Sequence, residues 1–229
     1  MDTILITGAN RGLGLEFVKQ YAEEGCIIHA CCRSPDEAKE LQALSSKNKN
    51  IQIHTLDTTS EADIAALKNK IDSPIDILIN NAGMLVQDAP LGNIPVDNLI
   101  NTFLVNAVAP LKIAEAFIDH LAKSKRKLIA CVSSSMGSIT ENTSGGYYSY
   151  RTGKVALNML MKSAAYELAN SGIKVLLLHP GWVKTRMGGE GASITPEESI
   201  SGMRKVIATY NTPPGEVIFY RYDGGKVPW

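Results

Sequence analysis

The stretch "YYSYRTGK" at 147–154 sets three tyrosines in a span of four and follows them with an arginine and a lysine. Residues four apart on a helix share a face, so Tyr150 lies beside Lys154, whereas Tyr147 faces Arg151 and Tyr148 faces Thr152. Only Tyr150 has the lysine. A free phenol, with a pKa of about 10, is a poor base at neutral pH, and an adjacent ammonium favours the phenolate and is expected to lower that value. Such a tyrosine exchanges a proton near working pH. Taken alone, the pair better describes a solvated helix face, and it is the glycine loop and the upstream serines that reverse this reading. Upstream, "VSSSMGS" offers three hydroxyls, Ser133, Ser134 and Ser135, at the end of an apolar run; strand alternation turns neighbours to opposite faces without choosing among them. Hydride addition to a carbonyl carbon leaves negative charge on oxygen, which needs a proton donor and a second hydrogen bond, and a tyrosine and a serine supply both.

A second chemistry-bearing segment is "TGANRGLG" at 7–14. Gly8, Gly12 and Gly14 permit a tight turn and close backbone approach, and a helix starting near Arg11 or Gly12 offers free N–H groups and a positive dipole end to a pyrophosphate. The loop directly follows an apolar strand and opens a helix, the context in which a glycine-rich turn signals a dinucleotide. After the second strand, "HACCRSP" holds no carboxylate before Asp36. An acidic residue there binds both ribose hydroxyls of NAD and repels a 2′-phosphate. Arg33, with Arg11 approaching from the glycine loop, instead offers a phosphate a fork of donors, so NADP(H) is the expected cofactor.

The elements that must position these residues alternate along the whole chain. Strands are expected at 3–7, 26–32, 51–55, 75–80, 127–133, 173–179 and 216–220, and helices at about 12–24, 35–46, 60–71, 97–122, 149–170 and 196–209. Strand then helix, repeated, predicts a doubly wound α/β fold of Rossmann type, about seven mostly parallel strands with helices on both faces. No linker divides it, so residues 1–229 form one domain. Ligands in such sheets sit at the carboxyl ends of the strands.

Lys plus Arg equals Asp plus Glu at 23 each, so no charge field invites nucleic acid or an anionic membrane. The apolar run at the N-terminus is too short for a signal-peptide core, and a cytoplasmic protein is expected. Cys26, Cys31, Cys32 and Cys131 fall in or beside strands and read as core residues of a reducing compartment. His29, His54, His120 and His179 are scattered without metal spacing and read as structural. The helices at 97–122 and 149–170 carry apolar residues on more than one face, which predicts a homodimer. The glycine-rich segment 186–196 reads as a lid beside the substrate, with a helix start at Thr195 or Pro196.

The spacing T-G-x-x-x-G-x-G resembles the short-chain dehydrogenase/reductase family, and further motifs follow in its order: "NNAG" at 80–83, Asn106 in "FLVNAVAP", the serine run, Tyr150 with Lys154, and "HPGWVKT" at 179–185. Within the family the chain is most similar to sniffer-type carbonyl reductases and C-factor proteins. The resemblance implies NADPH-dependent reduction of a small carbonyl substrate, with Tyr150 as general acid, Ser134 as oxyanion partner, Lys154 as tuner and ribose ligand, and Asn106 in a proton relay. Ser133 and Ser135 then read as backbone-capping residues. It also implies a cofactor site built from Gly8, Asn10, Arg11, Gly12, Leu13, Gly14, Arg33, Asp57, Thr58, Asn81, Ala82, Gly83, Pro180, Gly181, Val183 and Thr185, besides Tyr150 and Lys154. Asp57 would lie near the adenine, and Val183 and Thr185 against the nicotinamide carboxamide. The C-factor likeness implies an alternative, a signalling protein that binds the dinucleotide without turnover. A nucleotide-sugar epimerase fits less well, given the short chain and the spacing of the first two glycines.

Overall fold

Successive side chains of the first strand enter different cores: Ile4 and Ile6 pack on one face of the sheet and Leu5 on the other. A strand with no polar alternation must be covered on both sides, and here it is. The computed structural model describes residues 1–229. Seven strands, β1 (Thr3–Thr7), β2 (Ile27–Cys32), β3 (Ile51–Thr55), β4 (Ile77–Asn80), β5 (Leu128–Val132), β6 (Lys174–His179) and β7 (Val217–Arg221), form one sheet in the order β3-β2-β1-β4-β5-β6-β7. Every neighbouring pair is parallel, so the sheet expected to be mostly parallel is parallel throughout.

Helices α1 (Gly12–Glu23), α2 (Lys39–Lys47), α3 (Glu61–Lys70), α4 (Val96–Phe103), α5 (Ala109–Ala116), α6 (Ile118–Ala122), α7 (Tyr148–Leu168) and α8 (Pro196–Thr209) fill the crossovers. Phe17 and Val18 of α1 and Met203 of α8 cover the face of Ile4 and Ile6. Ile113 of α5 and Leu157 and Met161 of α7 cover the face of Leu5. Thr195 caps α8 by accepting the Glu198 N–H at 3.2 Å, with Pro196 in the first turn, as its sequence signature requires. The strand order reverses between β1 and β4, so the glycine loop after β1 and the "NNAG" loop after β4 flank the crevice where a doubly wound sheet binds its ligand.

Two expected helices differ. Residues 35–46 divide into a short 3₁₀ turn at Pro35–Glu37 and α2, because Ala38 adopts ψ 60° and breaks the helical path. The helix expected over 97–122 is interrupted by a π-helical segment, Leu104–Val108, between α4 and α5, and bends again at Phe117. The π turn is centred on Asn106, whose amide is bonded to another segment rather than facing solvent. By length and composition Val96–Ala116 would pass for a membrane-crossing helix; its buried residues Thr102, Asn106, Ala107, Ile113 and Ala114 pack within the fold instead.

Candidate active site

The glycine loop is built by close backbone contact. Gly8 has φ +65°, and a Cβ on Gly14 would lie 2.1 Å from the Gly8 carbonyl oxygen, so only glycine lets α1 start against the end of β1. Asn81 locks this turn: its Nδ2 donates to the carbonyls of Thr7 at 2.9 Å and Gly8 at 3.2 Å, while its backbone N–H and that of Ala82 donate to Thr7 Oγ1, each at 3.0 Å. Arg11 stands at the N-cap of α1 in extended conformation and gives no side-chain cap, and the first intrahelical bond runs from Leu15 N–H to Arg11. The N–H groups of Gly12, Leu13 and Gly14 therefore have no acceptor within the helix, at a terminus without an acidic side chain. That donor set fits the pyrophosphate of a dinucleotide. Gly12, at φ +53°, faces Thr185: a Cβ there would meet Thr185 Cγ2 at 3.6 Å, which brings the loop after β6 over the glycine loop. Asn10 and Thr58 are half-buried on the same rim.

Arg33 follows β2 directly, is exposed like Arg11, and neither arginine enters an ion pair. Asp57 lies nearby. Its Oδ1 accepts from the Thr59 N–H at 2.9 Å and the Thr59 hydroxyl at 2.7 Å, and these bonds, with a smaller contribution from Arg33, hold its carboxyl below the usual range. In the loop after β6, Gly181 has φ +82°, and a Cβ on it would strike Ile194 Cδ1 at 2.6 Å, so Pro180 and Gly181 turn the chain sharply. Val183 is buried and bridges Ile194, and Thr185 Oγ1 accepts the Gly188 N–H at 3.1 Å.

Around Tyr150 the structure brings Ser134, Lys154, Asn106 and Gly83 together. Tyr150 and Lys154 are both buried on the first turns of α7, with Lys154 Nζ 5.8 Å from the Tyr150 ring centroid. Lys154 Nζ donates to the Val132 carbonyl at 2.8 Å. A Cβ on Gly83 would lie 3.2 Å from Asn106 Oδ1 and 3.6 Å from Lys154 Nζ, so these groups converge. Asn106 exchanges two bonds with the Met84 backbone, accepting its N–H and donating to its carbonyl at 2.8 Å each. One amide N–H and one lone pair of Asn106 remain for a water.

The electrostatics correct one expectation. Burial pushes the Tyr150 phenol up to about 12 rather than down; hydrogen bonding by Ser134 opposes that rise, and no charge does. Burial also draws the Lys154 ammonium down to about 8. Desolvation disfavours the charged form of both groups, and in the protein alone it outweighs the attraction expected from their spacing. The phenol therefore stays protonated at neutral pH.

The serine assignments also change. Ser133, read as a capping residue, donates instead to Asn158 Oδ1 at 2.6 Å, a buried side-chain bond that leaves it no part in the site. Capping falls to Ser134, whose Oγ accepts the Met136 N–H at 3.2 Å, so its hydroxyl proton stays available. Two of the histidines scattered in sequence meet in space. His29 Nδ1 and His54 Nε2 meet at 3.0 Å beneath the sheet, and burial lowers both to about 4.

Residue reading missed Asp88 and Gly153. Asp88 grips Ser149, next to Tyr150, through both carboxylate oxygens. A Cβ on Gly153 would meet Asn106 Cβ and Thr102 at 3.2 Å, so glycine in mid-helix admits the π segment against α7. A glycine inside a helical pattern, at a cost of about 1 kcal/mol, was the available signal.

The residue pattern that defines the short chain dehydrogenases matches positions 2–193. The C-signal protein of Myxococcus xanthus is 40% identical over 161 residues, covering 70% of this chain and 96% of that protein. Among solved structures, the carbonyl reductase Sniffer of D. melanogaster superposes with a TM-score of 0.94 at 34% identity over 100% of both chains. An NADPH-bound carbonyl reductase from chicken fatty liver gives 0.94 and 34% over 100% of this chain and 99% of its own.

Proposed function

The chain belongs to the short-chain dehydrogenase/reductase family, and from that premise we propose that it is an NADPH-dependent reductase of aldehydes, ketones or quinones. The observation that carries this reading is the Tyr150 phenol, buried and kept protonated beside Ser134 and Lys154, at the carboxyl end of a sheet whose glycine loop is open to a pyrophosphate. A bound nicotinamide supplies the hydride. Tyr150 gives its proton to the carbonyl oxygen, and the Ser134 hydroxyl donates a second hydrogen bond to the same atom. Lys154 has two N–H donors beyond its bond to Val132, which suit ribose hydroxyls, and Asn106 returns protons through a water. Arg33 and Arg11, unpaired on either side of the adenosine end, favour a 2′-phosphate.

Consumption of NADPH at 340 nm with a panel of aldehydes, ketones and quinones tests the reading. Turnover supports it; tight NADPH binding with no turnover on any of them overturns it. That second outcome would support the C-signal-like alternative, a regulatory protein that senses the dinucleotide, which the 40% identity to C-signal favours.

The assembly we propose is a homodimer. Val96, Ile100 and Phe103 of α4 and Met159 and Tyr166 of α7 are exposed apolar residues on helices that pack beside each other. Light scattering at the monomer mass of 24.7 kDa would overturn it. Four buried, unpaired cysteines suit a reducing compartment and a cytoplasmic location.

A further inference from the structure

Helix α7, which carries both Tyr150 and Lys154, begins without a cap of its own. Its N-cap residue, Tyr147, sits in the left-handed region at φ 49° and makes no side-chain capping bond, and the first turn contains no acidic residue. The missing acceptor comes from 61 positions away. Asp88, in the irregular loop between β4 and α4, accepts the Ser149 backbone N–H through Oδ2 at 2.7 Å and the Ser149 hydroxyl through Oδ1 at 2.6 Å. Ser149 is fully buried and Asp88 half-buried, so both bonds are partly shielded from bulk water. The carboxylate also meets the positive end of a 21-residue helix. Four residues earlier the same loop is held by Asn106, which bonds both the N–H and the carbonyl of Met84. A single strand of chain, 84–88, therefore runs from the relay residue to the residue next to the proton donor.

We propose that Asp88 is a positioning residue: its carboxylate clamps Ser149 and so fixes the first turn of α7, and with it the Tyr150 hydroxyl, against the loop that carries Gly83 and Met84. The proposal rests on the reductase reading above. The clamp works through geometry rather than through charge on the phenol, so an asparagine, with one oxygen to accept the Ser149 N–H and one NH₂ to bond its hydroxyl, preserves it. Misplacing a proton donor by about 1 Å costs on the order of 100-fold in rate.

The test compares Asp88→Ala, Asp88→Asn and Ser149→Ala with the wild type by steady-state kinetics, NADPH affinity and amide exchange of the 147–154 segment. Asp88→Ala should lower kcat by about 10- to 100-fold while leaving the NADPH Kd within about twofold, and Asp88→Asn should restore kcat to within about threefold. Ser149→Ala, which keeps the N–H bond, should fall between them, and it stands in for Asp88→Ala if that variant does not fold. A kcat for Asp88→Ala close to that of the wild type, or an Asp88→Asn variant as impaired as Asp88→Ala, overturns the proposal. The Ser149 amide has no intrahelical acceptor, so it should exchange slowly in the wild type and in Asp88→Asn and rapidly in Asp88→Ala. Absence of turnover in the wild type would sink the reductase reading alone; unchanged exchange in Asp88→Ala would sink the clamp alone.

Discussion

Replacing Tyr150 by Phe removes one atom, and the structure states what that atom is worth. The ring is buried and lies 5.8 Å from Lys154 Nζ, and phenylalanine keeps both the packing and that contact. The fold and the NADPH affinity should therefore be unchanged. A positioned general acid contributes about 10²- to 10⁴-fold, so kcat for carbonyl reduction should fall by that factor, equivalent to roughly 2.7–5.5 kcal/mol in the barrier. The pH profile adds a second reading. With the phenol at about 12, it is protonated throughout the neutral range, and reduction should not be limited by its ionisation. Oxidation of the corresponding alcohol needs the phenolate, so its rate should climb as pH is raised from 7 towards 10 in the wild type and lose that slope in Tyr150→Phe. Tyr147→Phe is the control, since that side chain is exposed and its hydroxyl makes no hydrogen bond within the protein. Stopped-flow NADPH oxidation at saturating cofactor reads the chemical step. Retention of more than a tenth of wild-type activity by Tyr150→Phe, or an equal loss in Tyr147→Phe, would refute the assignment.

Arg33→Ala and Arg11→Ala should each weaken NADPH by about 10- to 150-fold, the loss of a charge-assisted contact of roughly 1.5–3 kcal/mol, with little effect on NADH; calorimetry showing an unchanged preference would remove the basis for NADP selectivity. Gly14→Ala places a methyl 2.1 Å from the Gly8 carbonyl oxygen and 2.6 Å from Asn81 Nδ2, so it must shift the backbone and break the Asn81 bonds. Backbone displacement of that kind should cost more than about 3 kcal/mol and lower Tm by more than roughly 5 °C, whereas Gly12→Ala, whose methyl meets nothing closer than 3.6 Å, should cost only the roughly 1–2 kcal/mol of its left-handed φ of +53°; equal shifts in a thermal melt would contradict the geometry. Acid should destabilise the fold before any carboxylate titrates. His29, His54 and His179 are held at about 4 by burial against an unfolded value of about 6.5, so the unfolded chain binds more protons below that pH. Stability should be fully present above pH 6.5 and fall towards pH 4, and urea midpoints that stay flat over that window would contradict the burial of these rings.

The strands were legible because each is a short apolar run between turn formers, and a fully covered parallel sheet needs little else. All seven lie where the sequence puts them, within a residue or two at either end. The glycine loop was legible for a local reason too, since both sides of the Gly8–Gly14 contact sit in one eight-residue turn. What was not legible depends on partners far along the chain. Asn106 looks like a polar interruption until Met84, 22 residues away, is seen to accept its N–H and donate to its oxygen; only then is there a reason for the helix to widen into a π turn. Ser134 could not be chosen over Ser133 by alternation alone, because the choice is made by Asn158, which ties up Ser133. The pKa of Tyr150 was misjudged for the same reason. Spacing puts a cation beside it, but burial is a property of the assembled fold.

That burial can be traced back to glycines that look like ordinary turn or helix residues. A Cβ on Gly137 would lie 2.9 Å from the Lys154 main chain, and one on Gly153 would lie 3.2 Å from both Asn106 and Thr102. Their absence lets the turn after β5 and the π segment both close on α7, where Tyr150 and Lys154 are buried. Exclusion of water raises the phenol and lowers the ammonium, each towards its neutral form. A larger side chain at either glycine would push the walls apart, readmit water and move both values back towards those of the free groups. Packing therefore sets the protonation of the site: small residues at 137 and 153 keep the Tyr150 phenol neutral, the form the proposed reductase reading requires, and the spacing of tyrosine and lysine decides only which phenol is held.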